Sequence, residues 1–103
     1  MARTITDYTD IPTAGTQIQL GAALSLTKRR ITSILMRADP NNSGNAAVGD
    51  SGVSLTNGIV LQPGESLAVD YTTDKGGSEE LGYWWGDVVV NGDNVVWSAV
   101  VEK

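Results

Sequence analysis

From residue 39 onward, clusters of Gly, Pro, Asn and Asp cut this chain into short pieces. They fall at Asp39-Pro40-Asn41-Asn42-Ser43-Gly44, Asp50-Ser51-Gly52, Asn57-Gly58, Gln62-Pro63-Gly64-Glu65, Gly76-Gly77 and Asn91-Gly92-Asp93-Asn94. Each supplies the positive φ, the fixed φ or the local side-chain hydrogen bond that a chain reversal needs. Pro63-Gly64 suits the centre of a type II turn.

Between the turns, apolar residues alternate with polar ones, the pattern of half-buried strands. Thr16, Ile18 and Leu20 alternate with Gln17 and Gln19, and Leu67, Val69 and Tyr71 with Ser66, Ala68 and Asp70. Residues 30–38 give the strongest strand, with Thr32, Ile34, Met36 and Ala38 on one face and Ile31, Ser33, Leu35 and Arg37 on the other. Shorter strands are predicted at 45–49 and around Ile59 and Leu61. Residues 21–26 read as strand or loop in preference to a short helix. Residues 82–90 and 95–101 flank Asn91-Gly92, a dipeptide that marks a hairpin between apolar strands. The sum is an all-β protein: a single β-sandwich, jelly-roll-like, of about seven or eight short antiparallel strands. Residues 1–13 read as an N-terminal arm or leading segment, and 14–103 as the sandwich.

A chain of 103 residues has room for one core. With 41% apolar and 18% charged residues, the remainder is rich in Gly, Ser, Thr and Asn, which favours turn-rich β architecture. There is no cysteine, so the fold is expected to form in a reducing cytoplasm without a disulfide. The first residues lack the apolar stretch of a signal peptide, and no apolar run approaches a membrane span. A net charge of −5 argues against a nucleic-acid partner. Lys28, Arg29, Arg30 and Arg37 gather four of the seven basic residues, read here as solvated charges at a strand entrance.

Three constellations invite a catalytic or metal reading, and each lacks a required part. Gly49-Asp50-Ser51-Gly52 matches the nucleophile stretch of trypsin-like serine proteases. That serine needs a base, usually histidine, and the chain has none. Asp39, Asn41, Ser43, Gly44 and Asp50 follow the spacing of a calcium loop. Pro40 and strand-like flanks break the pattern, and the last position lacks the longer Glu arm. Glu79-Glu80 and Asp87 are carboxylates without a sign of a shared cleft. No enzyme activity, cofactor or metal is expected.

Tyr83-Trp84-Trp85 is the most unusual local feature. Neighbouring side chains in a strand point to opposite faces, so Trp84 and Trp85 cannot both enter one core. The valines of 88–90 and 95–101 also populate both faces. Strands apolar on both sides carry more apolar surface than one small core absorbs, which points to association between copies. Ile31, Leu35, Trp84 and Trp85 are the candidate interface residues. A tryptophan left outside could otherwise stack on a sugar.

From residue 38 to residue 70 the chain resembles small virion proteins of tailed bacteriophages. The resemblance lies in the order of Ala38-Asp39-Pro40-Asn41-Asn42-Ser43-Gly44, Val48-Gly49-Asp50-Ser51-Gly52-Val53, Asn57-Gly58 and Leu61-Gln62-Pro63-Gly64-Glu65-Ser66-Leu67. The upstream Thr13-Ala14-Gly15-Thr16 fits as well, whereas Tyr83-Trp84-Trp85 departs from it. The resemblance implies a capsid decoration or cement protein, head-fibre type included. Such a structural protein is often a homotrimer and binds the major capsid protein on the virion surface, after synthesis in the host cytoplasm. A tail or fibre module that binds a receptor carbohydrate is the alternative. The motifs are turn chemistry, so they imply a fold more than a task, and no site residue follows from them.

Overall fold

The computed structural model describes residues 3–72 and 77–101. In chain order the strands are β1 (Arg3–Asp10), β2 (Ile18–Gln19), β3 (Arg30–Ala38), β4 (Ala46–Gly49) and β5 (Ile59–Leu61), then β6 (Ser66–Asp70), β7 (Glu79–Glu80), β8 (Trp85–Val88) and β9 (Asn94–Val101). They build two antiparallel sheets, one in the order β1-β9-β3-β6 with β7 beside β6 on β3, the other in the order β2-β8-β4-β5. Successive strands mostly change sheet, and the outcome is the eight-stranded jelly roll, with β7 as an addition.

The inner faces of the two sheets enclose one core. Trp97, Val95, Ala99 and Val101 of β9 and Ile34, Met36 and Ala38 of β3 meet Ala46 and Val48 of β4 and Val88 of β8. Leu20, Leu81 and Ile11 close the ends. Each of the larger aliphatic side chains here contributes about 1.5–3 kcal/mol relative to solvent exposure. The Trp97 indole N–H donates to Thr9 Oγ1 at 3.3 Å, so the largest buried side chain also fixes β1.

The all-β sandwich read from the pattern is the observed fold. Strand 30–38 has the expected bounds. Pro63-Gly64 forms the type II turn: Gly64 has φ 88°, and the Glu65 N–H donates to the Gln62 carbonyl at 2.8 Å. Between β2 and β3 the chain makes only a single 3-10 turn, Ala22–Leu24.

Three local expectations are corrected. The segment read as an arm is built into the sheet: Arg3 to Asp10 pair with Val101 to Asn94 along their whole length, and Ile11 is fully buried. Its alternation of Thr4, Thr6 and Tyr8 with Ile5, Asp7 and Thr9 is strand patterning whose inner face is half polar. Second, β8 and β9 do not form a hairpin. They lie in different sheets, and residues 89–93 arch across the sandwich, with Gly92 at φ 85° and its N–H given to the Ile11 carbonyl. A turn signal reports that the chain reverses, not which sheet it joins next. Third, β3 is not apolar on both faces. Its register with β9 slips between Ile31 and Ser33, a bulge that turns Ile31 inward beside Ile34 despite their odd spacing.

Candidate interaction surface

The two outer faces of the sandwich differ. On the sheet containing β8 and β4, loops cover the outside. Asp87 points outward, since Gly86 and Val88 face the core, yet it is buried: the Gly15 N–H donates to its Oδ1 at 2.9 Å, as does the Val88 N–H at 2.8 Å. Val53 packs on the same side, in the position where a side chain at Gly49 or Gly58 would clash. The Gln17 amide ties the two covering loops by donating to the Ser51 carbonyl at 2.9 Å. Ala47, also outward, is completely buried.

The outside of the other sheet is bare. Its register lines up three rows of four residues across β1, β9, β3 and β6: Tyr8-Val96-Arg37-Ser66, Thr6-Ser98-Leu35-Ala68 and Thr4-Val100-Ser33-Asp70. Leu35, at the middle of the grid, is 44% exposed, and Tyr8 at its edge 59%. The Thr6 and Ser98 hydroxyls bond to each other at 2.9 Å, so part of this face already satisfies its own polar groups. A shallow depression of about 440 Å³ runs along it, bordered by Leu35, Arg37, Gly64 and Val96. Only Arg37 and Asp70 bring charge to the grid, at opposite ends. The carboxyl pKa of Asp70 lies below the ordinary aspartate value, because the Thr72 hydroxyl and then the Thr72 N–H donate to its Oδ1, at 2.6 and 2.9 Å.

Of the four interface candidates, Leu35 lies at the centre of this face. Ile31 and Trp84 are in the core and present no surface: the bulge accounts for Ile31, and the Trp84 indole N–H reaches the Tyr71 hydroxyl at 2.7 Å. Tyr83 stays exposed and packs its ring edge-on against Trp84, centroids 5.3 Å apart. Trp85 is half-buried on the loop-covered sheet, away from Leu35. Val96 and Val100 join Leu35 through the pairing of β9 with β3, and Tyr8 through that of β1 with β9, long-range pairings that the sequence does not announce.

The other constellations come apart. Asp39 binds the Asn41 N–H in a local turn before β4, and Asp50 binds the Gly52 N–H after it. β4 runs between the two turns, and each carboxylate is engaged by the backbone of its own turn. Ser51 sits in the Asp50 turn. Glu79 and Glu80 pair with Ile31 and Arg30 at the edge of one sheet, whereas Asp87 lies outside the other. The basic group disperses: Lys28 is 4.0 Å from Glu80, Arg30 binds Ser78, and Arg37 belongs to the bare face. No helix among the described residues is long and apolar enough to cross a membrane.

No protein-family model and no curated protein sequence matches the chain. Solved structures do. The chain is similar to a subunit of the disulfide-linked pili that form Bacillus endospore appendages, with a TM-score of 0.58 at 10% identity over 100% of this chain and 87% of that one. It is similar to a chain of the nora virus structure, with a TM-score of 0.51 at 12% identity over 97% of this chain and 55% of that one. A third likeness is to the virus-like particle of the prawn extra small virus, with a TM-score of 0.51 at 12% identity over 97% and 77%. The fold also recurs within the IMPa metallopeptidase of Pseudomonas aeruginosa, of which the matched part is 12% (TM-score 0.55, 14% identity). At such identities the likeness is one of fold: this chain is a jelly roll of the kind also seen in virus particles and in a pilus.

Proposed function

We propose that this chain is a virion structural protein, a capsid decoration or cement subunit that reinforces a bacteriophage head by non-covalent contacts. The observation that carries the reading is the bare face over β1, β9, β3 and β6. It carries one cation and one anion and exposes Leu35 at its centre, whereas on the opposite sheet the chain's own loops cover the outside of β4 and β8. Aromatic and aliphatic groups exposed together on one face suit contact with another protein. The turn motifs shared with small phage virion proteins agree, and so does a fold that recurs in virus particles and a pilus. In this reading the protein has no catalytic role. It is made in the host cytoplasm and ends on the capsid surface, with the major capsid protein and copies of itself as partners.

The test is mass spectrometry and immunogold labelling of density-gradient-purified particles from cells that produce the protein. The expected result is the chain banding with the heads, in fixed ratio to the major capsid protein, and decorating their surface. Recovery only as free protein, or labelling confined to tails, would refute a head location.

A further inference from the structure

We infer that the bare face is self-complementary and pairs with the same face of a second copy across a two-fold axis. This pairing rests on reading the face as a protein-contact surface, and is independent of where the protein resides. Rotate a copy by 180° about an axis that lies in the face and runs along the row of Leu35 and Ser98. That row then meets itself, Leu35 against Leu35, and the row of Arg37 faces the row of Asp70. Arg37 on β3 comes opposite Ser33 of the copy, one strand away from its Asp70. A guanidinium spans the roughly 4.8 Å between strands, so two Arg37–Asp70 pairs would form, one on each side of the axis. Both partners are unspent: Arg37 has no ion pair among the described residues, and the Thr72 bonds hold Asp70 as the anion while using only Oδ1.

An isologous contact requires a surface that complements itself, and a cation and an anion at opposite ends of one face meet that condition. A three-fold assembly, as the phage resemblance implies, would join two different patches and leave this symmetry without use.

The size of the face sets the strength. Four strands and three rows cover about 400 Å², against about 800 Å² per partner in a stable interface. The contact is therefore weak in solution and becomes populated where many copies are held close together.

Sedimentation velocity from about 5 µM to about 1 mM tests this, a range that brackets weak interfaces. The expected result is monomer at the low end and dimer at the high end. Leu35→Asp and Arg37→Glu should each keep the protein monomeric throughout, and Arg37→Glu combined with Asp70→Arg should restore the dimer. Near-UV circular dichroism shows that each variant remains folded. A wild type that stays monomeric, a trimer, or a charge swap that fails to rescue would overturn the two-fold pairing. Head association of a monomeric variant would leave the virion assignment standing, so the two readings fail separately.

Discussion

At the scale of single residues, an inconspicuous acid in the sequence joins two distant turns. Asp93 is buried, and its carboxylate accepts the N–H groups of Ser43 and Gly44, at 3.0 Å each to Oδ2. Next to it Asn42 and Asn94 imitate a strand pair: the Asn42 amide donates to the Asn94 carbonyl at 2.8 Å and accepts its N–H at 3.0 Å. Together they tie the turn after β3 to the arch before β9. Replacing Asp93 by Ala strands two partly buried donors. We expect a loss of about 2 kcal/mol, from hydrogen bonds to a charged group. In a chain of this size that lowers Tm by roughly 10 °C. Urea unfolding should show a lower midpoint with the slope unchanged; a midpoint within error of wild type would show that the clamp is dispensable. None of this was legible beforehand. Asn91-Gly92-Asp93-Asn94 announces a turn, but the partners of Asp93 lie about fifty residues earlier in the chain, and local chemistry carries no trace of them. The reverse holds for Pro63-Gly64, whose conformation depends on its own neighbours and was read correctly.

At the scale of elements, legibility followed the contrast between faces. Residues 30–38 alternate strongly, and their bounds matched the strand observed. The bulge within them was invisible, because Thr32 looks like any strand residue, and its effect was to move Ile31 from the outer face to the core. Leu35 was found as an interface candidate for a reason that failed, two apolar faces on one strand, and stays one for a different reason, its place at the centre of the bare face. β1 was missed because its inner face, Ile5, Asp7 and Thr9, is too polar to signal burial. An inward Asp on an edge strand also discourages pairing with a stray chain. Removal of residues 2–12 would have trimmed a free arm; in this fold it takes away an edge strand, the Trp97 partner Thr9 and the buried Ile11. We expect the truncated protein to lose its cooperative thermal transition and its near-UV signal from Trp97. A truncated protein that melts like wild type would mean that β1 is not needed for the core.

At the scale of the whole molecule, the fold is closed by its two ends. β1 pairs with β9 and β9 with β3, so the first and last strands lie side by side at the middle and edge of one sheet. Sheet β1-β9-β3-β6 cannot form until the last residues are in place, and the pairing that completes it spans nearly the full chain. Folding slows as contacts become less local, because the loop entropy must be met before the contact rewards it. The register also puts Arg3 opposite Val101, so a short linker between the termini turns β1 and β9 into an ordinary hairpin. A circular permutant joined in this way and opened between Leu55 and Thr56, in the turn after β4 that Ser54 and Asn57 bridge, keeps every pairing between the named strands and makes the β1–β9 pairing local, with the smaller β4–β5 pairing made distant. Its refolding should be faster than wild type, on the order of tenfold given the dependence of rate on contact order, with its unfolding rate changed much less. Stopped-flow tryptophan fluorescence would read both rates, since Trp97 sits on β9 against β1. Faster refolding would establish that bringing the chain ends together limits assembly of the sandwich. An unchanged rate would place the barrier within β3, β6 and β9, and would make β1 the last strand to dock on a core already formed.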